Sequence, residues 1–186
     1  SPRASRLWKV GGPDRPTELS AGLQLRYDDI APVGLYLTKA RERISTTRED
    51  AVRQASAGVY LQADTQLTGK VRTVIGMRGD LYDVEVDSSD PANSGAETAT
   101  RPSPKLTLAL GPWARTEVYA NYGWGFQSND ARGATITRDP MTGEPAERVD
   151  PLVRGRGAEL GVRSLAVPGL HATAAAWGLD LDSELL

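Results

Sequence analysis

The stretch TEVYANYGWGF, residues 116 to 126, decides the fold. Thr116, Val118, Ala120, Tyr122, Trp124 and Phe126 alternate with Glu117, Tyr119, Asn121 and Gly123. A period of two is the mark of a strand whose side chains point by turns to opposite faces. Here one face is apolar and aromatic and the other is polar.

Working outward, the same pattern recurs on both sides. Leu19, Ala21, Leu23, Leu25 and Tyr27 alternate with Ser20, Gly22, Gln24 and Arg26, and Val33, Leu35 and Leu37 follow. Ala57, Val59, Leu61 and Ala63 stand against Gly58, Tyr60, Gln62 and Asp64, and Val71, Thr73, Ile75 and Met77 against Arg72, Gly76 and Arg78. These two runs, joined by Thr68-Gly69-Lys70, read as a hairpin. Leu106, Leu108 and Leu110 precede the opening stretch, and Ala158, Leu160 and Val162 alternate with Glu159, Gly161 and Arg163 after it. A last run follows Pro168-Gly169. No segment carries a convincing helical period.

The connections also alternate. Short turns are expected at Asp28 to Pro32, Thr68 to Lys70, Gly111 to Arg115 and Val167 to Gly169, on one rim. Long loops are expected around Thr46, Asn93 and Pro140, on the other, including one from about Gln127 to Val153. Short turns on one rim and long loops on the other, joining strands with one apolar face, describe an outer-membrane β-barrel. The expected fold is all-β, with about eight antiparallel up-and-down strands forming part of a large transmembrane β-barrel. A bilayer demands closure of such a sheet, because every backbone polar group in hydrocarbon needs a partner. Trp113 beside a short turn, and Tyr122, Trp124 and Phe126 near a loop end, stand where interfacial aromatics belong. The alternative is a soluble all-β binding or cell-surface module.

Composition narrows the function. Only 39% of the 186 residues are hydrophobic, with 19 Gly, 12 Pro and a single Phe, too much punctuation for long helices. The 22 basic and 24 acidic residues are interleaved to a net charge of −2, which offers nucleic acid no footprint. With no Cys and one His, His171, neither a thiolate metal site nor a two-His site can be built, and no Ser-His-Asp triad can be assembled without His171. Asp80, Asp83, Glu85, Asp87 and Asp90 lack the ligand spacing of a calcium loop. Asp180, Asp182 and Glu184 share a strand face with no cleft to serve. The chain is read as no enzyme and as needing no cofactor.

The stretches RTVIGMRGDLYDVEV, PSPKLTLALGPWARTEVYANYGWGFQSNDARG, VDPLVRGRGAELGVRS and VPGLHATAAAWGLDLDSELL resemble the C-terminal half of the barrel of TonB-dependent outer-membrane receptors. The resemblance is clearest from about Gln54 onward. It implies a parent barrel of about twenty-two strands around an N-terminal plug. It further implies residence in the bacterial outer membrane, and uptake of a scarce small molecule such as an iron–siderophore chelate under the pull of the TonB complex. On that reading residues 1–186 are a partial barrel domain without the plug, contributing wall and loops.

Polar residues on the barrel wall are then expected to face the lumen, namely Arg72, Arg78, Asp80, Glu117, Asn121, Arg156, Glu159 and Arg163. An Arg or Lys at the lipid midplane would cost about 2–4 kcal/mol. Ligand contacts are expected on the loop after the opening stretch, at Gln127, Asn129, Asp130 and Arg132, a mixed donor and acceptor set on a loop held by a rigid scaffold.

Overall fold

A computed structural model describes residues 2–13 and 15–182. They form a single antiparallel sheet of eight strands, each hydrogen-bonded to its neighbours in sequence order. The strands are β1 (Arg3–Val10), β2 (Thr17–Lys39), β3 (Glu42–Thr68), β4 (Val71–Ser88), β5 (Gly95–Trp113), β6 (Thr116–Ser128), β7 (Leu152–Ser164) and β8 (Ala172–Leu181). The helical pieces are a 3-10 turn at Pro91–Asn93 and α1 at Ala131–Thr135.

Register turns the sequence alternation into two continuous surfaces. Leu19, Ala63, Ile75, Leu106 and Tyr122 lie side by side across five strands, and Leu61, Met77 and Pro104 stand in the next apolar row toward the loops. On the opposite face Ser20, Gln62, Gly76, Lys105 and Gly123 make the corresponding row. Leu61 and Ile75 are each 58% exposed. The apolar face is therefore uncovered along its length, the reverse of a soluble sandwich, whose apolar faces interlock.

Several boundaries differ from the sequence expectation. Asp28 to Pro32 is not a turn, because β2 runs straight through it and pairs with β3 on both sides. Pro32, which has no amide proton for the ladder, sits in the register break between Ile30 and Val33. The polar segment around Thr46 is not a loop but the tip of β3. β2 and β3, 23 and 27 residues long, continue as a ribbon to a two-residue turn at Ala40-Arg41, both with positive φ. Val33, Leu35 and Leu37 marked the β2 arm of this ribbon, but the largely polar β3 arm from Glu42 to Asp50 was hidden, since alternation marks a strand only where one face is apolar. Asn93 does lie in a connection, but of residues 89–94 only, because Gly95 to Pro104 extends β5. β1 gave no sequence signal.

The rims sort as expected once these shifts are made. Residues 11–16, 69–70, 114–115 and 165–171 join strands on one rim, and residues 40–41, 89–94 and 129–151 on the other. Trp8 and Trp113 flank the first rim, with Arg6 and Lys70 5.5 and 5.8 Å from their ring centres. His171 is exposed on the same rim.

Candidate functional site: the polar face and its inward-folded loop

The polar face is a lattice of matched charges. Arg72 meets Asp64 at 2.5 Å, Arg78 meets Asp80 at 2.6 Å, and Arg163 meets Glu117 directly across the β6–β7 pair at 3.1 Å. Asn121 and the Tyr119 hydroxyl both donate to the Glu159 carboxylate, at 3.0 and 3.1 Å. Of the charges expected on this face only Arg156 is misplaced. It shares parity with Ala158 and Leu160 and pairs across the apolar side with Asp180 at 2.6 Å, close to the loop rim. Glycine makes room for the lattice: a Cβ at Gly58 would collide with both Arg78 and Asp80.

Toward the loop rim the sheet parts. β5 and β6 pair only from the turn up to Lys105 opposite Gly123, although β5 continues back to Gly95 and β6 on to Ser128. Beyond that row β6 stays with β7. Gly123 opposite Gly157 and Gly125 opposite Gly155 leave this ribbon free of side chains on one side, so it bends easily. The end of β6 swings over the polar face. Phe126 and Ser128 line one groove together with Gln24, Arg26, Ser56, Asp80 and Tyr82. Arg101 of β5 donates to the Leu152 carbonyl of β7 at 2.7 Å.

The loop of residues 129–151 follows β6 inward. Ala131 and Ala134 of α1 pack against Val52, Val84 and Val86, the main buried apolar cluster among the described residues. Asn93, 0% exposed, locks the two connections together. Its side chain donates to the Arg138 carbonyl at 2.9 Å and accepts from the Thr137 and Arg138 amides at 2.9 and 3.0 Å. Thr135 donates to the Asn93 carbonyl at 3.0 Å, and Arg148 pairs with Glu97 at 2.9 Å. Beneath α1 lies a buried ion pair, Arg48–Asp50, at 2.6 Å.

The four expected contact residues fall at the start of this loop. Gln127 is exposed at the end of β6, opposite Val153. Asn129 closes the loop neck by donating to the Asp150 carbonyl at 2.8 Å. Asp130 caps α1 and accepts from the Arg132 amide and guanidinium. Hydrogen bonds from Arg132 hold the Asp130 carboxyl below its ordinary range, and Asp130 holds the Arg132 guanidinium more firmly protonated. Asn129, Asp130 and Arg132 thus come together, while Gln127 stands apart on the strand.

The acidic series does not converge. Asp83 accepts from Thr98, Glu85 pairs with Arg53, Asp80 with Arg78, and Asp90 caps the 3-10 turn. Among the described residues no three or more carboxylates or His gather into a metal-binding group. Glu184 lies outside the described residues.

Sequence reading missed a groove of about 680 Å³ on the polar face, lined by Tyr60, Gln62, Arg78, Ser103, Lys105 and Trp124 among others. Ser103 sat in a proline-bearing stretch taken for loop, and Lys105 stood just past its end. Their parity with Thr107 and Ala109, opposite to Leu106 and Leu108, is the signal that would have found them.

Comparison with known proteins follows this architecture. The solved structure of the ferric citrate transporter FecA in its unliganded form matches with a TM-score of 0.70 at 18% identity, over 96% of this chain and 26% of that one. BauA, the ferric preacinetobactin receptor from Acinetobacter baumannii, matches with a TM-score of 0.55 at 18% identity, over 95% of this chain and 28% of that one. The chain thus spans about a quarter of the length of these structures. No curated protein matches by sequence. The family model described as "TonB dependent receptor-like, beta-barrel" matches residues 4–186. These eight strands are a stretch of such a barrel, and the chain belongs to the TonB-dependent receptor β-barrel family.

Proposed function

We propose that this chain forms wall and external loops of an outer-membrane receptor that takes up a scarce small molecule, such as an iron–siderophore chelate, by TonB-coupled transport. The observation that carries the reading is the uncovered apolar face. Leu19 through Tyr27, Ala55 through Ala63 and Ile75 through Leu81 present continuous apolar rows. Each approaches the ~9 to 11 residues with which a tilted strand crosses a bilayer. Lipid is the solvent that makes such a face stable, and up to the Lys105–Gly123 row the ladder satisfies the backbone as hydrocarbon requires.

The polar face then lines the passage, and its inward-folded loop narrows the outer mouth. The cargo meets Gln127, Asn129, Asp130 and Arg132 there. Gln127 offers a side-chain amide with no internal partner among the described residues, and the other three hold the loop in shape around it. Energy comes from the TonB complex acting on the plug of the receptor.

The test is uptake of radiolabelled ferric chelates by iron-starved cells carrying the full-length receptor, with and without an uncoupler. Uncoupler-sensitive uptake that falls in a Gln127→Ala, Arg132→Ala double variant supports the reading. A receptor that folds as a monomer in plain buffer overturns it.

A further inference from the structure

We infer that the seam where β5 leaves β6 holds a membrane lipid with an anionic phosphate head, its tail on the apolar face and its head on Lys105 at the polar face. The inference rests on the membrane reading above.

Four observations converge on the seam. First, two strands that pair tightly from the turn to Lys105–Gly123 both continue beyond it without each other. Proline is confined to strand edges where no partner needs its missing amide, and Pro102 and Pro104 stand on the part of β5 that has left β6. The sequence thus builds an opening there and withholds donors that would close it.

Second, a groove lies on each side of the wall at this place. The polar one, of about 680 Å³, includes Ser103, Lys105 and Trp124. The apolar one, of about 640 Å³, is lined by Leu61, Ile75, Met77, Leu106, Tyr122 and Trp124 among others. Both reach Lys105 of β5 and Trp124 of β6, the residues on either side of the seam, so the parting of the two strands is where one elongated molecule would pass between the grooves.

Third, the charge there is unmatched. Arg72, Arg78 and Arg163 on the polar face each have a carboxylate partner. Lys105 has none among the described residues. Its stem starts beside the seam and lies across Gly76 of β4, where a Cβ would come within 2.7 Å of Lys105 Cε, which sets the ammonium over the β4–β5 pair in the polar groove. Beside it the Ser103 hydroxyl is buried without a hydrogen-bond partner. An unpaired ammonium and an idle hydroxyl, next to a dry groove, fit an anion with oxygen acceptors and an alkyl tail.

Fourth, the source is set by geometry. The apolar groove is part of the same face as Leu19, Ala63 and Ile75, so its occupant arrives from the surrounding bilayer and not from the passage.

The test uses the full-length receptor in nanodiscs of phosphatidylcholine containing phosphatidylglycerol, with retained lipid counted by native mass spectrometry after detergent stripping. Wild type is expected to keep phosphatidylglycerol about tenfold over phosphatidylcholine, the worth of one charge-assisted hydrogen bond. Lys105→Met should abolish the preference, Lys105→Arg should keep it, and Ser103→Ala, which removes only an oxygen, should weaken it about threefold. Lys39→Met, at the tip of the β2–β3 ribbon, should change nothing.

Equal retention of the two lipids, or an unchanged preference in Lys105→Met, overturns the inference. So does a Lys105→Met variant that loses affinity for ferric chelate while keeping phosphatidylglycerol, which would give the seam to the cargo. Failure of the membrane reading shows separately, as a receptor that leaves the membrane fraction without detergent.

Discussion

Below the row joining Lys105 to Gly123 the sheet obeys one rule, and above it the rule lapses. In the lower half every strand pairs on schedule, one face is apolar, and charges on the other are matched by neighbours on the same or the adjacent strand. In the upper half strands bend, a ribbon stands free, and a loop folds inward on bonds that each occur once. On the membrane reading proposed above, the lower half is specified by solvent, lipid on one side and water on the other. The upper half is specified by particular side chains. Each half should therefore break in its own way.

The largest effect belongs to the lower half. Ile75→Arg places a guanidinium in the apolar row of Ala63, Leu106 and Tyr122 and should destabilise the receptor by about 2–4 kcal/mol in urea titrations of refolding into vesicles. Gln62→Arg, across the β3–β4 pair on the opposite face, should cost under about 1 kcal/mol. Equal penalties would mean that the two faces meet the same solvent, and the comparison would collapse.

Next comes the upper half's central lock. Asn93→Ala strands the Thr137 and Arg138 amides and the Arg138 carbonyl. Leaving such buried groups unpaired costs about 1–3 kcal/mol. That cost falls on docking of the loop rather than on the barrel. Protease cleavage between residues 139 and 148 should rise several-fold while the urea midpoint stays put. A shifted midpoint with unchanged cleavage would show the loop to be part of the global fold.

The same division explains what the sequence made legible. Alternation in Leu19 to Tyr27 or Thr116 to Phe126 reports a two-solvent environment residue by residue, so fold class and faces could be read directly. The β3 arm of the ribbon escaped because its own residues form no apolar stripe: Glu49 accepts from Tyr36, and Arg43 lies 3.7 Å over the Tyr36 ring. Asn93 escaped because its partners lie 44 and 45 residues away, and no local pattern encodes such a bond. Of the expected contacts, Asp130 carried a readable capping position, while the polar groove was hidden by Pro102 and Pro104, which read as loop until pairing with β4 shows strand.

A smaller effect lies at the turns. Ala114 and Arg115 join β5 to β6 with φ of 49° and 62°, a left-handed pair better suited to Asn-Gly. Ala114→Asn with Arg115→Gly should stabilise the lower half by about 1 kcal/mol, since a side chain with Cβ is disfavoured there. The same exchange at Ala40 and Arg41, φ 51° and 70°, should firm the ribbon tip without moving the urea midpoint. If both exchanges move it equally, the ribbon is coupled to the barrel more tightly than its water-exposed flanks suggest.

The smallest effect is a pH response confined to the upper half. Glu49 is held below the ordinary carboxylate range by the Tyr36 hydroxyl and then Arg43, Asp130 by Arg132, and Asp139 by the Thr142 and Met141 amides. A carboxylate whose folded value is depressed contributes stability that is complete above its unfolded value, near pH 4, and is lost as pH falls through the folded one. Acidification from about pH 5 to pH 3 should therefore loosen the ribbon tip and the loop of residues 129–151. The change should be slight, because these groups are largely screened by water. Hydrogen exchange, corrected for its intrinsic pH dependence, should show protection falling over residues 129–151 while residues 54–64, paired on both sides within the sheet, stay protected. Asp139→Asn, which keeps an acceptor for the two amides without the titrating charge, should flatten the response at its own turn and leave that of Asp130 in place. Parallel loss in both halves would mean that the loop is not an independent unit, and that the boundary at Lys105 and Gly123 separates geometry without separating stability.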